Sequence, residues 1–282
     1  MSNLYGLFGE KLSHSISPQI HSLFFKELNM EAYYHLFEVK REDLKTAVDG
    51  LKVLGAKGVN VTIPYKVDIM NCIDEISPEA KSIGAVNTVS FENGRTIGYN
   101  SDYFGFGKML SKNSIGVKDK EAVVLGSGGV SKTVVHYLMD KGIKDIIVVV
   151  RDKNNNDGNW KLEWIQKLME KYPKIIEIIN YEEVNELSKK DLLVNCTPLG
   201  MYPKIDASPL EKENVIKFSA VVDLIYNPNE TLLLRYARES GIKTVNGLYM
   251  LVAQAIVSEE YWNKINISQE IIDKIYNKLN EI

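Results

Sequence analysis

Residues 121–150 constrain the fold more than any other stretch of the chain. An apolar run, Glu121 to Leu125, leads straight into Gly126-Ser127-Gly128-Gly129. A segment with Val130, Val134 and Leu138 at helical spacing follows, then the unbroken apolar run Ile146 to Val150. Unbroken runs of this kind suit parallel strands covered on both faces. Gly126 allows a tight turn, and Gly128 lets backbone approach a pyrophosphate, which the N–H groups of the next helix can then hold. Ser131 stands where a third glycine is usual and is small enough for close helix–strand packing. A strand–turn–helix–strand unit with this loop predicts dinucleotide binding; a purely structural turn is the alternative.

Further strands are expected at Leu192 to Val194, Ala220 to Leu224 and Lys243 to Val245, with helices between them, which predicts a doubly wound parallel sheet. Before residue 103 the pattern differs. Strands are expected at Tyr5 to Phe8 and His35 to Val39, with a helix at about 41–54. Val59 to Ile63 alternates apolar and polar until Pro64 ends it, which predicts a strand with Asn60 and Thr62 on a polar face. Thr88 to Phe91 and Thr96 to Tyr99 flank Glu92-Asn93-Gly94, a type I′ hairpin signal. The tail from Leu248 reads as helical, with Ile271, Ile275 and Leu279 on one face.

Composition narrows the function classes. Of 282 residues, 45% are hydrophobic and 25% charged, which is ordinary for a globular chain with a real core. The net charge of -3, with both signs interspersed, offers no basic field for nucleic acid or an anionic membrane. Cys72 and Cys196 have no second Cys or His at ligand spacing, so neither zinc nor a disulfide framework is expected. The N-terminus lacks a basic segment followed by an apolar run, and no stretch reaches the ~18 apolar residues of a membrane span, so a cytoplasmic protein is expected.

Four local clusters can carry chemistry. Ser13-His14-Ser15-Ile16-Ser17-Pro18 precedes a helix; its hydroxyls can hold a carboxylate or polyol, or Ser17 can simply cap the helix with Pro18 in the first turn. In Asn60-Val61-Thr62-Ile63-Pro64-Tyr65-Lys66, the lysine follows a proline turn and can lean over a pocket as an acid–base group, or be solvated. Asn87 and Asp102 bracket the hairpin and can meet at one site, or Asp102 can cap a helix starting near Tyr103. At Val150-Arg151-Asp152-Lys153, arginine favours the 2′-phosphate of NADP and the acid favours the ribose of NAD, so the local signal is mixed. Asp152 can equally just open the Asn-rich loop to Asn159.

Together these segments resemble the shikimate dehydrogenase (shikimate/quinate dehydrogenase) family. The matches, in the family's order, also include Gly84-Ala85-Val86-Asn87-Thr88, Asn100-Ser101-Asp102, Asn195-Cys196-Thr197-Pro198-Leu199-Gly200-Met201, Asp223-Leu224-Ile225-Tyr226-Asn227-Pro228 and Gly247-Leu248-Tyr249-Met250-Leu251-Val252-Ala253-Gln254-Ala255. The resemblance implies an α/β protein: a substrate domain over residues 1–103, completed by the C-terminal helices of 246–282, and a Rossmann-like, doubly wound dinucleotide domain over 104–245. The cleft would run along their junction. It implies Lys66 and Asp102 as the catalytic pair, Ser15 and Ser17 on the substrate carboxylate, and Thr62, Asn87, Tyr226 and Gln254 lining the substrate. Cofactor positions would be Gly126, Ser127, Gly128, Gly129, Val130, Arg151, Asp152, Lys153, Leu224 and Gly247. The implied reaction is NADP-dependent, reversible reduction of 3-dehydroshikimate to shikimate, in chorismate and aromatic amino-acid biosynthesis, by a monomer or homodimer needing no metal.

The cofactor turn departs from the family pattern. NADP-dependent members usually carry Asn-Arg-Thr and then a second arginine; here Val150-Arg151-Asp152 stands there, with Asn155 at the second position. Arg151 and Lys153 can still clasp a 2′-phosphate, which Asp152 would repel. NADP is the first expectation, with NAD, and quinate as a related substrate, as the alternative. A regulator that binds the same ligands without catalysis, and a methylenetetrahydrofolate dehydrogenase, are the readings from other classes. Retention of Lys66 and Asp102 speaks against the first, and the Ser15/Ser17 pair against the second.

Overall fold

The computed structural model describes residues 2–153 and 160–281. Asn155 and most of the Asn-rich loop lie outside the described residues. The chain divides into two compact units, residues 1–106 with 251–282, and residues 107–250.

The first unit contains β1 (Asn3–Gly9), α1 (Ser17–Glu27), β2 (Ala32–Glu38), α2 (Leu44–Val53), β3 (Gly58–Val61), β4 (Glu75–Ile76), α3 (Pro78–Ile83), β5 (Thr88–Glu92), β6 (Arg95–Tyr99) and the start of α4 (Ser101–Lys112). Its six-stranded sheet runs β2-β1-β3-β5-β6-β4. β1 pairs in parallel with both β2 and β3, while β5 is antiparallel to β3 and β6. The β5–β6 turn is the expected hairpin: Asn93 and Gly94 take φ of 49° and 77°, the left-handed pair of a type I′ turn. β3 departs from the alternating pattern, because all four of its residues are buried. It lies inside the sheet, so Asn60 is covered and must find partners within the protein.

The second unit contains β7 (Glu121–Leu125), α5 (Gly129–Asp140), β8 (Asp145–Val150), α6 (Trp160–Lys171), β9 (Ile176–Asn180), β10 (Lys190–Asn195), α7 (Lys212–Val215), β11 (Phe218–Asp223), α8 (Leu232–Glu239) and β12 (Lys243–Val245). The sheet order β12-β11-β10-β7-β8-β9 is parallel throughout. The order reverses between β7 and β10, the switch point where doubly wound sheets take ligands. Val123, Val124, Val148 and Val149 are fully buried, as the unbroken runs require, and each such side chain stabilises by about 1.5–3 kcal/mol. β4 and β9 are strands that local pattern does not reveal: β4 is two residues long, and β9 sits at the sheet edge with Glu177 exposed.

α9 (Leu248–Asn263) leads from the second unit back into the first, and α10 (Gln269–Asn280) closes the chain. Within the first unit, Trp262 of α9 donates from Nε1 to Val89 O at 3.0 Å, pinning the helix to β5. Gln254, Ser258, Glu259, Glu260 and Asn263 are among the polar residues that α9 carries into this unit. No helix among the described residues is long and apolar enough to cross a membrane.

Candidate active site

In the first unit the chain leaves β3, turns through Thr62 to Pro64, and presents Lys66. Tyr65 N bonds to Thr62 O at 2.9 Å, and the buried Tyr65 hydroxyl donates to Val39 O at 2.6 Å. The backbone of Lys66 is fixed from the other side by Val86 N at 2.8 Å. Its Nζ donates to Asp102 Oδ2 at 2.6 Å, with side-chain exposures of 19% and 11%. The pair is therefore sheltered yet reachable. Asp102 does not cap α4: that helix begins at Ser101, and Asn100 Oδ1 accepts from Tyr103 N at 3.2 Å. With the cap supplied by Asn100, the Asp102 carboxylate serves Lys66, and the first turn of a helix is a favourable place for its charge.

A hydroxyl–amide network lies beside this pair. Asn87 Oδ1 accepts from Ser101 N at 2.7 Å, and its Nδ2 donates to Ser101 Oγ at 3.0 Å and Gln254 Oε1 at 3.5 Å. Behind them, Thr88 Oγ1 lies 3.0 Å from Ser101 Oγ and 2.9 Å from Ser258 Oγ. Asn60 Nδ2 donates to Thr88 Oγ1 at 3.1 Å and Ser258 Oγ at 2.8 Å, while Tyr34 donates to Asn60 Oδ1 at 2.8 Å. Such networks, fully satisfied in a dry interior, hold one arrangement of side chains. Gln254 Nε2 is spent on Leu251 O at 2.9 Å, so a ligand contact by this amide exchanges one of its internal bonds.

Ser15 and Ser17 are half-buried and His14 is exposed. Ser17 is not the N-cap that local pattern offers; it is the first residue of α1, and Ile16 precedes it without a side-chain cap bond. The reason is local: Ser15 Oγ accepts from Ser17 N at 3.3 Å and takes the capping part for that amide. The Ser17 hydroxyl lies against the Tyr34 phenol, whose own pKa is driven well up by burial and by the Glu259 charge. Among the described residues, no hydrogen bond ties Ser15, Ser17 or Thr62 to Lys66 or Asp102.

In the second unit the loop after β7 runs into an uncapped helix start. Gly126 has φ of +96°, and a Cβ there would meet Thr197 Cγ2 at 2.9 Å. α5 starts at Gly129 with no side-chain cap on Gly128, and a Cβ at Gly128 or Gly129 would meet nothing within 4 Å. Uncapped N–H groups at an open helix start fit a pyrophosphate. Ser127 is steadied from behind, where Trp164 Nε1 donates to its carbonyl at 3.2 Å, and Val130 is half-buried in the first turn of α5. At the end of β8, Arg151 and Asp152 are exposed and Lys153 is half-buried. Leu224, Tyr226 and Gly247 sit beyond β11 and β12; Gly247 N bonds to Ile225 O at 2.9 Å, and a Cβ on Gly247 would lie 2.1 Å from Leu224 O. Burial raises the Tyr226 phenol above its ordinary pKa.

Asp223, at the end of β11, accepts from Thr231 Oγ1 at 2.6 Å, Asn195 Nδ2 at 3.0 Å and Ile225 N at 3.1 Å. Burial pushes its carboxyl from 3.8 up to about 6, against the pull of those three bonds. The folded chain thus holds this proton more tightly than the unfolded one. That share of stability is present below the unfolded value and is lost as pH rises through about 6; a shift of this size corresponds to about 3 kcal/mol. Asp223→Asn, with no proton to lose, is expected to flatten the stability profile between pH about 4 and about 6. Urea unfolding across that range checks it; an unchanged slope would rule Asp223 out as the source.

Several contributors escape motif reading. Ser101 lies in a matched segment but joins the site through the side chains of Asn87, Thr88, Gln254 and Ser258. Ser258 is one helical turn after Gln254, a spacing that places both on one face. Trp164 carries no local signal. Glu183 belongs to an Asn180…Glu183 capping box, which the sequence does display.

Known proteins resemble this chain along nearly its whole length. Residues 7–89 fit the model of the shikimate dehydrogenase substrate binding domain, and residues 109–200 that of shikimate / quinate 5-dehydrogenase. The shikimate dehydrogenase (NADP(+)) of Clostridium beijerinckii is 45% identical over 273 residues, 97% of this chain and 96% of the relative. The crystal structure of the Thermus thermophilus shikimate 5-dehydrogenase in complex with NADP(H) and shikimate has a TM-score of 0.83 at 30% identity, covering 98% of this chain and 99% of that one. The Listeria monocytogenes shikimate 5-dehydrogenase, in complex with shikimate and NAD, has a TM-score of 0.88 at 28% identity, covering 99% and 96%. With both family models in register and near-complete coverage by a relative of this identity, the chain belongs to the shikimate dehydrogenase family.

Proposed function

We propose that this chain interconverts shikimate and 3-dehydroshikimate by hydride exchange with NADP, in chorismate and aromatic amino-acid biosynthesis. The observation that carries the proposal is the Lys66–Asp102 contact at 2.6 Å, on the positions of the family's catalytic motif. A bound nicotinamide supplies the hydride in one direction and accepts it in the other. The chain's own residues do the rest. During reduction Lys66, as the ammonium, donates a proton to the substrate oxygen as it gains alkoxide character, and its charge stabilises that oxygen. Asp102 holds Lys66 in place and keeps its remaining N–H directed. During oxidation the amine takes the hydroxyl proton back.

Ser15 and Ser17 are proposed to hold the substrate carboxylate, with Thr62, Asn87, Tyr226 and Gln254 around its ring. Residues 1–103 with 246–282 would form the substrate domain, and residues 104–245 the dinucleotide domain. There the N–H groups from Gly126 to Val130 would take the pyrophosphate, Arg151, Asp152 and Lys153 the adenosine ribose, and Leu224 and Gly247 the nicotinamide end. The enzyme would act in the cytoplasm as a monomer or homodimer. NAD is the second reading, favoured by the acid at Asp152.

Kinetics with 3-dehydroshikimate test this, comparing NADPH with NADH, then shikimate with quinate. A higher kcat/KM for NADPH supports the proposal, and a preference for NADH reverses the cofactor assignment. Ligand binding without turnover by folded protein would replace the enzyme with a binding regulator.

A further inference from the structure

Lys153 is committed to a partner that the reading above leaves aside. Its Nζ donates to both carboxylate oxygens of Glu183, at 2.6 and 2.7 Å. Its backbone N–H donates to Asn180 Oδ1 at 2.8 Å. Glu183 Oε2 also accepts from Asn180 N at 2.8 Å, closing the capping box at the end of β9. β8 and β9 are in register to Val150 and Asn180, so the tie joins the turn after β8 to the corner beside it. The Lys153 bond lowers the pKa of Glu183, with the Asn180 amide as the next cause, so its carboxylate is charged at neutral pH. Arg151 stands exposed next to this tie, near enough to Tyr181 to pull its phenol down against the burial that raises it to about 12.

A 2′-phosphate brings a charge of roughly −1.5 to −2, whereas the ribose of NAD brings a neutral hydroxyl. Arg151, Asp152, Lys153 and Glu183 carry two charges of each sign, so together they offer no net attraction to the phosphate. We infer that Glu183 is a specificity-determining residue: by binding Lys153 it leaves Arg151 as the cation open to a 2′-phosphate and narrows the enzyme's discrimination between NADP and NAD. The inference rests on the proposal that the turn after β8 receives the adenosine ribose. It assigns the departure from the family's pattern to a residue about thirty positions downstream, on another strand's corner.

Dissociation constants for NADPH and NADH, read from nicotinamide fluorescence, test it in the full-length protein. Glu183→Gln keeps an acceptor for Asn180 N and gives up the charge. It is expected to tighten NADPH by about tenfold and to move NADH by less than about twofold. Lys153→Ala leaves Glu183 without its counter-charge and is expected to weaken NADPH by a similar factor and NADH by clearly less. It serves as the readout should Glu183→Gln fold poorly. A purely structural tie would move both cofactors alike. Equal shifts, no shift, or the same gain in the Lys153→Ala/Glu183→Gln double variant would overturn the inference. Arg151→Ala separates the levels: unchanged NADPH affinity there removes the ribose from this turn and sinks the underlying proposal. Loss in Arg151→Ala without gain in Glu183→Gln keeps the proposal and rejects the role of Glu183.

Discussion

Lys66→Ala is expected to lower kcat for shikimate oxidation by at least about 10²-fold, the usual scale for loss of a general acid–base group. The alanine removes both the proton carrier and the charge that steadies the developing alkoxide, and leaves Asp102 as an unpaired carboxylate beside the reacting oxygen. The Tyr65 and Val86 contacts that fix this turn do not involve the Lys66 side chain, so the fold should survive. KM for shikimate should change far less than kcat, because the lost interaction strengthens in the transition state. Asp102→Asn keeps an acceptor for Lys66 while removing the charge, and its loss should be smaller. Steady-state kinetics on variants of verified fold check this; wild-type turnover in Lys66→Ala would remove the assignment.

Glu259→Ala is expected to destabilise the protein by about 3 kcal/mol or more, because it removes a buried hydrogen-bond partner and leaves a cavity in the same place. Glu259 Oε1 lies 2.6 Å from His21 Nδ1, and both side chains are fully buried. Glu259 Oε2 accepts from Asn263 Nδ2 at 2.9 Å. Burial raises the Glu259 pKa, and the His21 bond opposes that rise. His21 Nε2 has no partner among the described residues, and the ring stacks on Tyr34 with centroids 3.9 Å apart. Truncating Glu259 would therefore leave His21 Nδ1 without its partner, cost Asn263 Nδ2 one of its two acceptors and open a cavity at once. The pair joins α1, which begins at Ser17, to α9, which carries Gln254. A rise in KM for shikimate should thus accompany the lost stability. Glu259→Gln keeps the size and a hydrogen bond and should lose less. Urea unfolding measures the effect, and a loss below about 1 kcal/mol would show that the pair is not a structural anchor.

The parts legible in the sequence are those encoded over short distances. The Gly126 turn, the unbroken β7 and β8 runs and the Asn93-Gly94 hairpin each need particular residues at fixed local spacing. Where two residue types compete for one local role, neighbours decide. Asn100 caps α4 and so leaves Asp102 to Lys66; Ser15 Oγ accepts from the Ser17 amide, and Ser17 becomes the first residue of α1 instead of its cap. Asn60 reads as solvent-facing in the sequence because alternation cannot tell a solvated strand face from one covered by α9. Ser258 reaches Asn60 across 198 residues and Ser101 across 157, separations that no local pattern encodes. The Lys153–Glu183 tie is hidden for the same reason, although the capping box that positions Glu183 is written in the chain.

Absorbance of the reduced nicotinamide, followed after mixing folded protein with shikimate and NADP, tests the central claim most directly. The account predicts a rise dependent on both ligands, matched by formation of 3-dehydroshikimate and abolished in Lys66→Ala. No rise with NADP or with NAD, from folded protein that binds shikimate, would contradict it.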